Sequence, residues 1–364
     1  MRIVQHGCLG TRNFGDERGA WMVRRILRHA FPQAEIAVIG SNMGLLARYH
    51  SDADILCSYN DKGSCLDTVK RADVLIHGPG TMIGPQPMPL ALDLAALDTP
   101  LILWGVGAWD HLFPPDPGME LLARAHGIGV RDMYAYNVVL DALSAIGDPT
   151  EPVFSGDPLF LDVHPGSPKT SLPCITISWH LAKCKSTLQA QVMRTLGEFV
   201  TEWASETGKQ WIGLPAAWDP DKPHTSDWDN DLQLLWRLQR ETGGGKGPIA
   251  SVLVPTDFDD LARMLSCVEL LVTSRLHTGV VAAANGADVC WFGQRKLLPF
   301  AALLGADRCF AGDYTAMTVA SLRDGCQPNP DAPHRLAELQ REIKDQERIL
   351  VRWIEEATGE RACR

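Results

Sequence analysis

The sequence has little of what marks a secreted, membrane-bound or nucleic-acid-binding protein. Its ten cysteines stand singly, with no pair at the two-residue spacing of a zinc or redox motif, so we expect a reduced, cytoplasmic protein. No apolar run approaches the ~20 residues of a membrane helix, and the first residues resemble a core strand and not a signal peptide. Lysine and arginine total 34 against 44 aspartates and glutamates, and the net charge of −10 argues against nucleic acid as a general partner.

What the chain does have is an alternation of short apolar strands with amphipathic segments. Its 364 residues exceed what one hydrophobic core usually spans, so two domains are expected. Strands joined through helices imply mostly parallel sheets with right-handed crossovers. The predicted strands cover residues 3–5, 35–39, 73–76, 101–104, 128–130, 174–178, 210–214, 251–254 and 268–272.

The turn-rich stretch 164–171 separates the two sets of strands and predicts the domain boundary. We therefore expect an N-terminal α/β domain over 1–165 and a C-terminal α/β domain over 172–330. Residues 334–358 carry apolar side chains at a spacing of three or four among many charges, which predicts an amphipathic helix. Such a helix either covers the first domain or pairs with a second subunit to give a homo-oligomer.

The most informative stretch is Ser274–Gly279, which follows the predicted strand 268–272 and opens a small-residue helix. In open α/β sheets, ligands bind at the carboxyl ends of the strands. A helix N-terminus there offers N–H groups to an anion, and the Arg275 guanidinium suits phosphate or carboxylate. A second apolar run ends in Lys296, so neighbouring strands would bring Arg275, His277 and Lys296 to one rim. The alternative is an exposed Arg275 and a histidine with purely structural partners.

Four motifs in this order resemble the polysaccharide pyruvyl transferase family. Ser274–His277, followed by the small-residue helix, a strand and Lys296, is similar to the C-terminal signature of that family. Gly10–Glu17 is similar to its first-loop pattern, and Gly129–Asp132 and Gly156–Pro158 match two further motifs. The resemblance spans about residues 1–305. It implies a fold like that of the GT-B glycosyltransferases, with two Rossmann-like domains facing a cleft and the donor bound by the C-terminal domain.

The resemblance also implies an activity. Phosphoenolpyruvate would be the co-substrate, its pyruvyl group would form a ketal with hydroxyls of a sugar or glycan, and phosphate would be released without a metal or other cofactor. Arg275 and Lys296 would bind the two anionic groups, with Arg131 as a third cation and Thr278 beside them. His277 is the candidate acid or base, because histidine side chains exchange protons near neutral pH.

The acceptor side is predicted from the other domain. Asn13 and Asp16 follow the first strand and can orient acceptor hydroxyls, although Asp16 can also be a helix N-cap. Where the family has a run of glycines, this chain has His77 before Gly78 and Pro79, which can reshape the acceptor site. The acceptor would be a sugar, a lipid-linked glycan or another hydroxylated small molecule. Four tryptophans can stack on it or serve ordinary packing: Trp109, Trp179, Trp218 and Trp228.

Two other interpretations share the same fold. A GT-B glycosyltransferase with a nucleotide-sugar donor would use the same rim cations, and a non-catalytic scaffold would have no need to keep Arg275, His277 and Lys296. The aspartate-rich stretch 219–231 suggests a metal site, but it lacks the turn glycine of a calcium loop, so we interpret it as a solvated loop.

Overall fold

The computed structural model describes residues 1–85, 89–109, 112, 116–170, 172–218, 230–305 and 309–359. The chain divides into two compact units. The first comprises Met1–Thr11, Asp16–Leu161 and Gln340–Arg364, and the second comprises Arg12–Gly15 and Asp162–Leu339. Residues 12–15 belong to the second unit, and most of the last helix belongs to the first.

The first unit is built on a parallel sheet with helices between its strands. The strands are β1 (Arg2–His6), β2 (Glu35–Gly40), β3 (Ile55–Ser58), β4 (Val74–His77), β5 (Gly80–Ile83), β6 (Leu101–Ala108), β7 (Ala125–Val130) and β8 (Val153–Phe154). The helices are α1 (Phe14–Ala30), α2 (Met43–Tyr49), α3 (Lys62–Lys70), α4 (Ala91–Ala95), α5 (Pro117–Arg124) and α6 (Met133–Ala145). The strands lie in the order β3-β2-β1-β4-β6-β7-β8, and β5 pairs with β6.

The core of the first unit lies on both faces of this sheet, because successive strand residues point to opposite sides. Ile3 of β1 packs with Val23 and Leu27 of α1 on one face. Its neighbour Val4 packs on the other face, in a cluster that includes Leu75 of β4. The continuous apolar strands that the sequence predicts are therefore the interior of a sheet covered on both sides.

The second unit repeats the plan with a second parallel sheet. Its strands are β9 (Cys174–Thr176), β10 (Trp211–Gly213), β11 (Ile249–Val252), β12 (Leu270–Thr273), β13 (Asp288–Gly293) and β14 (Phe310–Asp313). Its helices are α7 (Ser186–Thr207), α8 (Leu232–Glu241), α9 (Phe258–Ser266), α10 (Leu276–Ala284), α11 (Leu298–Leu303) and α12 (Val319–Gly325). The strand order is β11-β10-β9-β12-β13-β14.

The last helix, α13 (Ala332–Thr358), is continuous and amphipathic, as the sequence predicts. Leu350 and Ile354 are fully buried in the same cluster as Ile3 of the first unit. The Trp353 ring meets the Trp104 ring edge to face at 5.8 Å. The helix thus covers the first domain, which is one of the two expectations drawn from the sequence.

Every predicted strand corresponds to an observed one, with ends shifted by a few residues. The apolar pattern does not reveal β3, β5, β8 and β14, which are only two to four residues long. In β3, β5 and β14, glycine or polar residues also weaken the pattern. Among the described residues, none of the helices combines the length and apolar character needed to cross a membrane.

Candidate functional site

Each sheet has one point at which the strand order reverses direction. In the first unit it lies between β1 and β4, and in the second it lies between β9 and β12. The carboxyl ends of strands at such a switch point are the usual ligand-binding position in open α/β sheets. His77 ends β4 and Arg275 follows β12 closely, so two predicted site residues lie at these positions.

The turn from β12 to α10 is held by a small hydroxyl network. Thr273 Oγ1 accepts a hydrogen bond from the Arg275 N–H at 2.9 Å and lies 3.0 Å from Thr278 Oγ1. Thr278 Oγ1 in turn donates to the Arg275 carbonyl at 3.2 Å, and its side chain is fully buried. The Thr278 hydroxyl therefore stabilises the turn itself. Its contact with the phosphoenolpyruvate donor stays a prediction, and such a contact would require the hydroxyl to leave these partners.

Gly279 sets how closely α10 lies against β13. A Cβ atom at this position would fall 2.1 Å from Nε1 of Trp291, which is far inside van der Waals contact. Close packing thus requires a small residue at Gly279, and this packing places the N-terminus of α10 directly beside the sheet.

The Arg275 guanidinium is engaged inside the protein. Its Nε donates to Asp231 Oδ2 at 3.0 Å and its Nη2 donates to Asp231 Oδ1 at 2.7 Å. Arg275 is 7% exposed and Asp231 is fully buried, so this is a two-bond ion pair shielded from water. The carboxylate that the Nε and Nη2 atoms of Arg275 bind is thus an internal one, which the sequence analysis did not anticipate.

Asp231 is the residue that sequence reasoning missed. Its Oδ1 also accepts from the Trp179 N–H at 2.8 Å, and its Oδ2 accepts from the N–H groups of Ala216 and Ala217 at 3.0 and 3.2 Å. One carboxylate therefore joins the segments that follow β9, β10 and β12. The interpretation of 219–231 as a solvated loop is wrong for Asp231, and residues 219–229 lie outside the described part of the chain. The available signal was its position directly before the amphipathic helix α8.

His277 is half-buried in the first turn of α10 and lies against Gly15. A Cβ atom on Gly15 would fall 1.7 Å from His277 Nδ1. The segment containing Gly15 is held in the second unit by a bridge between Asn13 and Ala217 and by a bond from the Phe14 N–H to the Ala216 carbonyl at 3.1 Å. The first-loop motif and the Ser274–Gly279 motif, far apart in sequence, thus meet at His277.

Lys296 follows β13 in a short 3₁₀ turn, Arg295–Leu297, and is exposed. Because β12 and β13 are parallel neighbours, with Thr273 opposite Trp291, Lys296 and Arg275 follow the same edge of the sheet. This arrangement of the two strands is as the sequence predicts.

Arg131 follows β7 in the first unit, whereas Arg275 and Lys296 belong to the second. It is buried, and its Nη2 donates to Thr81 Oγ1 at 2.8 Å. Its guanidinium lies over Gly107, where a Cβ atom would come within 2.8 Å of its Cζ. Its predicted role as a third cation for the donor stays a prediction.

Asn13, and not Asp16, caps α1. The helix begins at Phe14, and Asn13 Oδ1 accepts from the Gly15 N–H at 3.3 Å. Asp16 is buried within the first turn of the helix. Burial, and after it the nearby carboxylates of Asp16 and Glu17, raise the pKa of the Cys8 thiol. The N-cap alternative for Asp16 is therefore wrong, because the helix already starts at Phe14, two residues before it.

Glu17, the last residue of the first-loop motif, holds that loop from inside the first unit. Its buried carboxylate accepts from the N–H groups of Gly10 and Thr11 at 3.2 and 2.6 Å. It also lies 2.6 Å from His50 Nε2. The acidic end of the motif is thus structural, since it satisfies loop N–H groups that a buried turn would otherwise leave unpaired.

His77 is buried at the end of β4 and does not lie on an open surface. Its Nδ1 is 2.8 Å from Nδ1 of His6, the residue opposite it on β1. Burial, together with the neighbouring His6, holds the pKa of His77 well below its usual value. Burial lowers the pKa of His6 to about 4.

The four tryptophans considered for sugar stacking have different surroundings. Trp109, directly after β6, is 56% exposed and its ring lies over Gly84. Trp179 is half-buried, with Lys183 Nζ 5.0 Å from its ring centre. Trp218 is buried in the core, which rules out stacking on a ligand, and Trp228 lies outside the described residues. Within the described residues, no group of three or more histidine, cysteine, aspartate or glutamate side chains is arranged to hold a metal ion.

Comparison with known proteins gives both a family and a fold. The family model described as polysaccharide pyruvyl transferase matches residues 13–294. No curated protein matches the sequence. Among solved structures, the UDP-GlcNAc 2-epimerase from Neisseria meningitidis bound to UDP-GlcNAc is similar, with 10% identity, a TM-score of 0.60 and coverage of 97% of this chain and 100% of that one.

Two further solved structures are similar. The UDP-GlcNAc 2-epimerase from Methanocaldococcus jannaschii, in complex with UDP-GlcNAc and UDP, shares 10% identity at a TM-score of 0.60, covering 95% of this chain and 99% of that one. The glycotransferase of kitacinnamycin shares 13% identity at a TM-score of 0.53, and the match covers 97% of this chain and 99% of that one. At these identities the likeness concerns the fold alone, and it establishes a GT-B-like architecture of two parallel-sheet α/β domains.

Proposed function

Because the chain belongs to the polysaccharide pyruvyl transferase family, matched over residues 13–294, we propose that it moves the pyruvyl group of phosphoenolpyruvate onto hydroxyls of a sugar or glycan. The observation that carries the proposal is the turn between β12 and α10. There a guanidinium held by Asp231 and the imidazole of His277 flank a helix N-terminus at the switch point of the second sheet. Such a position suits an anionic donor.

The proposed reaction is balanced without a further reactant. A proton adds to the methylene carbon of phosphoenolpyruvate, which makes the adjacent C2 electrophilic. One acceptor hydroxyl forms a bond to C2, a second hydroxyl forms another, and the bond between C2 and the phosphate oxygen breaks. The two hydroxyl protons end on the new methyl group and on the released phosphate. The product is a cyclic pyruvate ketal, and no metal or other cofactor is required.

Each residue role follows from a charge or a proton that this reaction needs. Arg275 and Lys296 would bind the phosphate and carboxylate of the donor, with Arg131 as a third cation. The buried ion pair with Asp231 would fix the Arg275 guanidinium before the donor binds, so little reorganisation is needed. His277 would donate the proton to the methylene carbon or accept one from a hydroxyl. Its Nδ1 side lies against Gly15, which would restrict how the ring turns.

On the acceptor side, Asn13, Asp16 and His77 would orient the hydroxyls. The acceptor would be a sugar, a lipid-linked glycan or a comparable hydroxylated molecule, met in the cytoplasm. The exposed indole of Trp109, at the carboxyl end of β6, would offer a face on which a sugar ring can stack.

Donor binding is tested by the thermal shift of the purified protein with phosphoenolpyruvate, UDP, GDP and UDP-GlcNAc measured in parallel. A ligand at 100 times its Kd stabilises a protein by about 2.7 kcal/mol, which gives a measurable shift. We expect a shift with phosphoenolpyruvate that is lost in Arg275→Ala and kept in the control Arg263→Ala, whose side chain is 66% exposed in the same unit.

The glycosyltransferase interpretation predicts the opposite pattern. It has support from the fold shared with proteins whose structures contain UDP-GlcNAc or UDP. A shift with the nucleotides and none with phosphoenolpyruvate would reject the pyruvyl transfer proposal, and Arg275 and Lys296 would then be assigned to a diphosphate.

A further inference from the structure

A pair of buried histidines lies at the switch point of the first sheet. His6 ends β1, His77 ends β4, and the two residues are directly opposite in the parallel ladder. Their rings stack with centroids 4.8 Å apart and their Nδ1 atoms are 2.8 Å apart. Two nitrogens at this distance share one proton, so one ring must donate and the other must accept.

The surrounding contacts decide which ring donates. His6 Nε2 is 3.1 Å from the Pro89 carbonyl oxygen, which can only accept, so this nitrogen carries a hydrogen. In a neutral His6 the Nδ1 atom is then a bare acceptor. The shared proton must therefore belong to His77 Nδ1, and in a neutral His77 the Nε2 atom is left with a lone pair.

Both rings are neutral near pH 7, because burial lowers the pKa of His6 to about 4 and, with His6 as a second cause, that of His77 well below its usual value. His77 Nε2 is buried and has no hydrogen-bond partner among the described residues. Buried polar atoms in folded proteins nearly always have a partner, and the switch point of an open α/β sheet is the usual ligand-binding position, so we take a ligand atom as the partner of this nitrogen.

We propose that His77 Nε2 is the hydrogen-bond acceptor for one hydroxyl of the sugar acceptor, and that His6 is the positioning residue that fixes His77 in the required tautomer. This assignment rests on the proposed function, since it takes the acceptor to be a polyol. A bare neutral imidazole nitrogen accepts from an O–H group and cannot donate to a carboxylate or phosphate. It therefore suits a hydroxyl.

The position of the two rings is well determined by their other contacts. The Tyr59 ring meets His6 edge to face at 5.5 Å, and the Tyr59 hydroxyl donates to the Gly7 carbonyl. Gln5 Nε2 donates to the Gly78 carbonyl at 3.3 Å, next to His77 in the chain. Because His77 is only 2% exposed, a hydroxyl bound at Nε2 would be shielded from competing water.

The first experiment is ¹⁵N NMR of the full-length protein labelled at histidine, at neutral pH. Protonated and bare imidazole nitrogens resonate far apart, so the spectrum reads the tautomer of each ring directly. We expect His6 to carry its hydrogen on Nε2 and His77 to carry its hydrogen on Nδ1. A hydrogen on His77 Nε2 would overturn the proposal whatever the protein's activity.

The second experiment adds a panel of methyl glycosides, with and without phosphoenolpyruvate. A shift of the His77 Nε2 resonance toward the hydrogen-bonded range supports the proposal, even if phosphoenolpyruvate itself fails to bind. If phosphoenolpyruvate binds and no glycoside moves this resonance, the hydroxyl assignment is rejected and the proposed function stands. A resonance that is already hydrogen-bonded and unaffected by every glycoside would mean a trapped water only, which also rejects it.

Two substitutions separate the role of Nε2 from that of the histidine pair. Asparagine places an N–H near the Nδ1 position, so His77→Asn keeps the bond to His6 and removes the group at Nε2. Glutamine places its amide near Nε2, so His77→Gln should partly rescue activity. For the glycoside with the largest NMR effect, we expect His77→Asn to lower kcat/KM by about tenfold at unchanged phosphoenolpyruvate affinity. Equal activity of His77→Asn and wild type would overturn the proposal, and His29→Asn, on an exposed site, is the control.

Discussion

At the scale of single residues, the position of the Arg275 side chain depends on Asp231. A buried guanidinium without a counter-charge is strongly unfavourable, and the carboxylate compensates it with two charge-assisted bonds. The same carboxylate accepts from the N–H groups of Trp179, Ala216 and Ala217, so it also determines where the ends of β9 and β10 lie. The geometry of the proposed donor site thus depends largely on one acidic side chain, Asp231.

Replacing Asp231 with asparagine should therefore affect both stability and donor binding. The variant keeps the size of the side chain but leaves the Arg275 charge uncompensated, which costs on the order of 3 kcal/mol of unfolding free energy. Urea unfolding measures the loss of stability, and calorimetric titration with phosphoenolpyruvate measures the weakened binding. The control is Asp67→Asn, at a side chain that is 68% exposed. Wild-type affinity in Asp231→Asn would show that the ion pair does not position Arg275 for the donor.

The proposed proton transfer at His277 makes a different prediction, because this residue is half-buried at a helix start and not part of the core. His277→Gln should lower kcat at least about 100-fold, the usual contribution of general acid–base catalysis. The melting temperature should stay within about a degree, because few buried contacts are lost. Initial-rate kinetics with differential scanning calorimetry measures both, with His334→Gln at a side chain that is 75% exposed as the control. Full activity of His277→Gln would remove the residue from the mechanism.

At the scale of secondary structure elements, the start of α1 and the start of α10 determine each other's geometry. Gly15 leaves room for the His277 ring, and the Asn13 side chain caps the helix to which Gly15 belongs. The need for glycine at position 15 of the first-loop motif is therefore explained by the packing of the His277 side chain in the folded state. Its sequence position two residues after the cap gives no hint of the histidine that lies against it.

Gly15→Ala tests this packing. Alanine is favoured over glycine in a helix by about 1 kcal/mol, so helix propensity alone predicts a more stable protein. Because the new Cβ atom would lie 1.7 Å from His277 Nδ1, we expect instead a displaced imidazole and a kcat lowered by about tenfold or more. The matched control is Gly44→Ala in α2, where the added Cβ atom is 3.3 Å from its nearest neighbour. Activity unchanged in both variants would show that the imidazole orientation is unimportant.

At the scale of the whole molecule, the buried histidine pair makes stability depend on pH. The pKa of His6 is about 4 in the folded protein against an ordinary value of 6.5. Below about pH 6.5 the unfolded chain therefore binds a proton that the folded protein excludes, and stability falls as the pH decreases toward 4. Between pH 7 and pH 5 we expect His6 alone to account for a loss of about 2 kcal/mol, with a further loss from His77.

Urea unfolding at pH 7 and pH 5 measures this dependence. The informative quantity is the difference between wild type and His6→Asn, which contains the contribution of His6 and the change that its loss causes at His77. A smaller loss in His6→Asn than in wild type is expected. The same pH dependence in both proteins would mean that folding does not lower the pKa of His6, and it would also contradict the neutral His6 from which the tautomer of His77 is inferred.

The sequence by itself determined the α/β class, the parallel sheets, the amphipathic last helix and the adjacency of the strands that precede Arg275 and Lys296. These features depend on local patterns, because strand and helix periodicity and turn residues act over a few positions. The family could be recognised for the same reason, since its motifs are short runs such as Ser274–His277 and Gly10–Glu17.

Only the tertiary structure decided which partners the functional side chains have. Asp231 is 44 residues from Arg275 in the chain, and His6 is 71 residues from His77. No local pattern encodes such pairs, because the parallel sheet order brings together the ends of strands that are distant in sequence. The tautomer of His77 and the anchoring of Arg275 arise from burial and hydrogen-bond geometry, which exist only once the chain has folded.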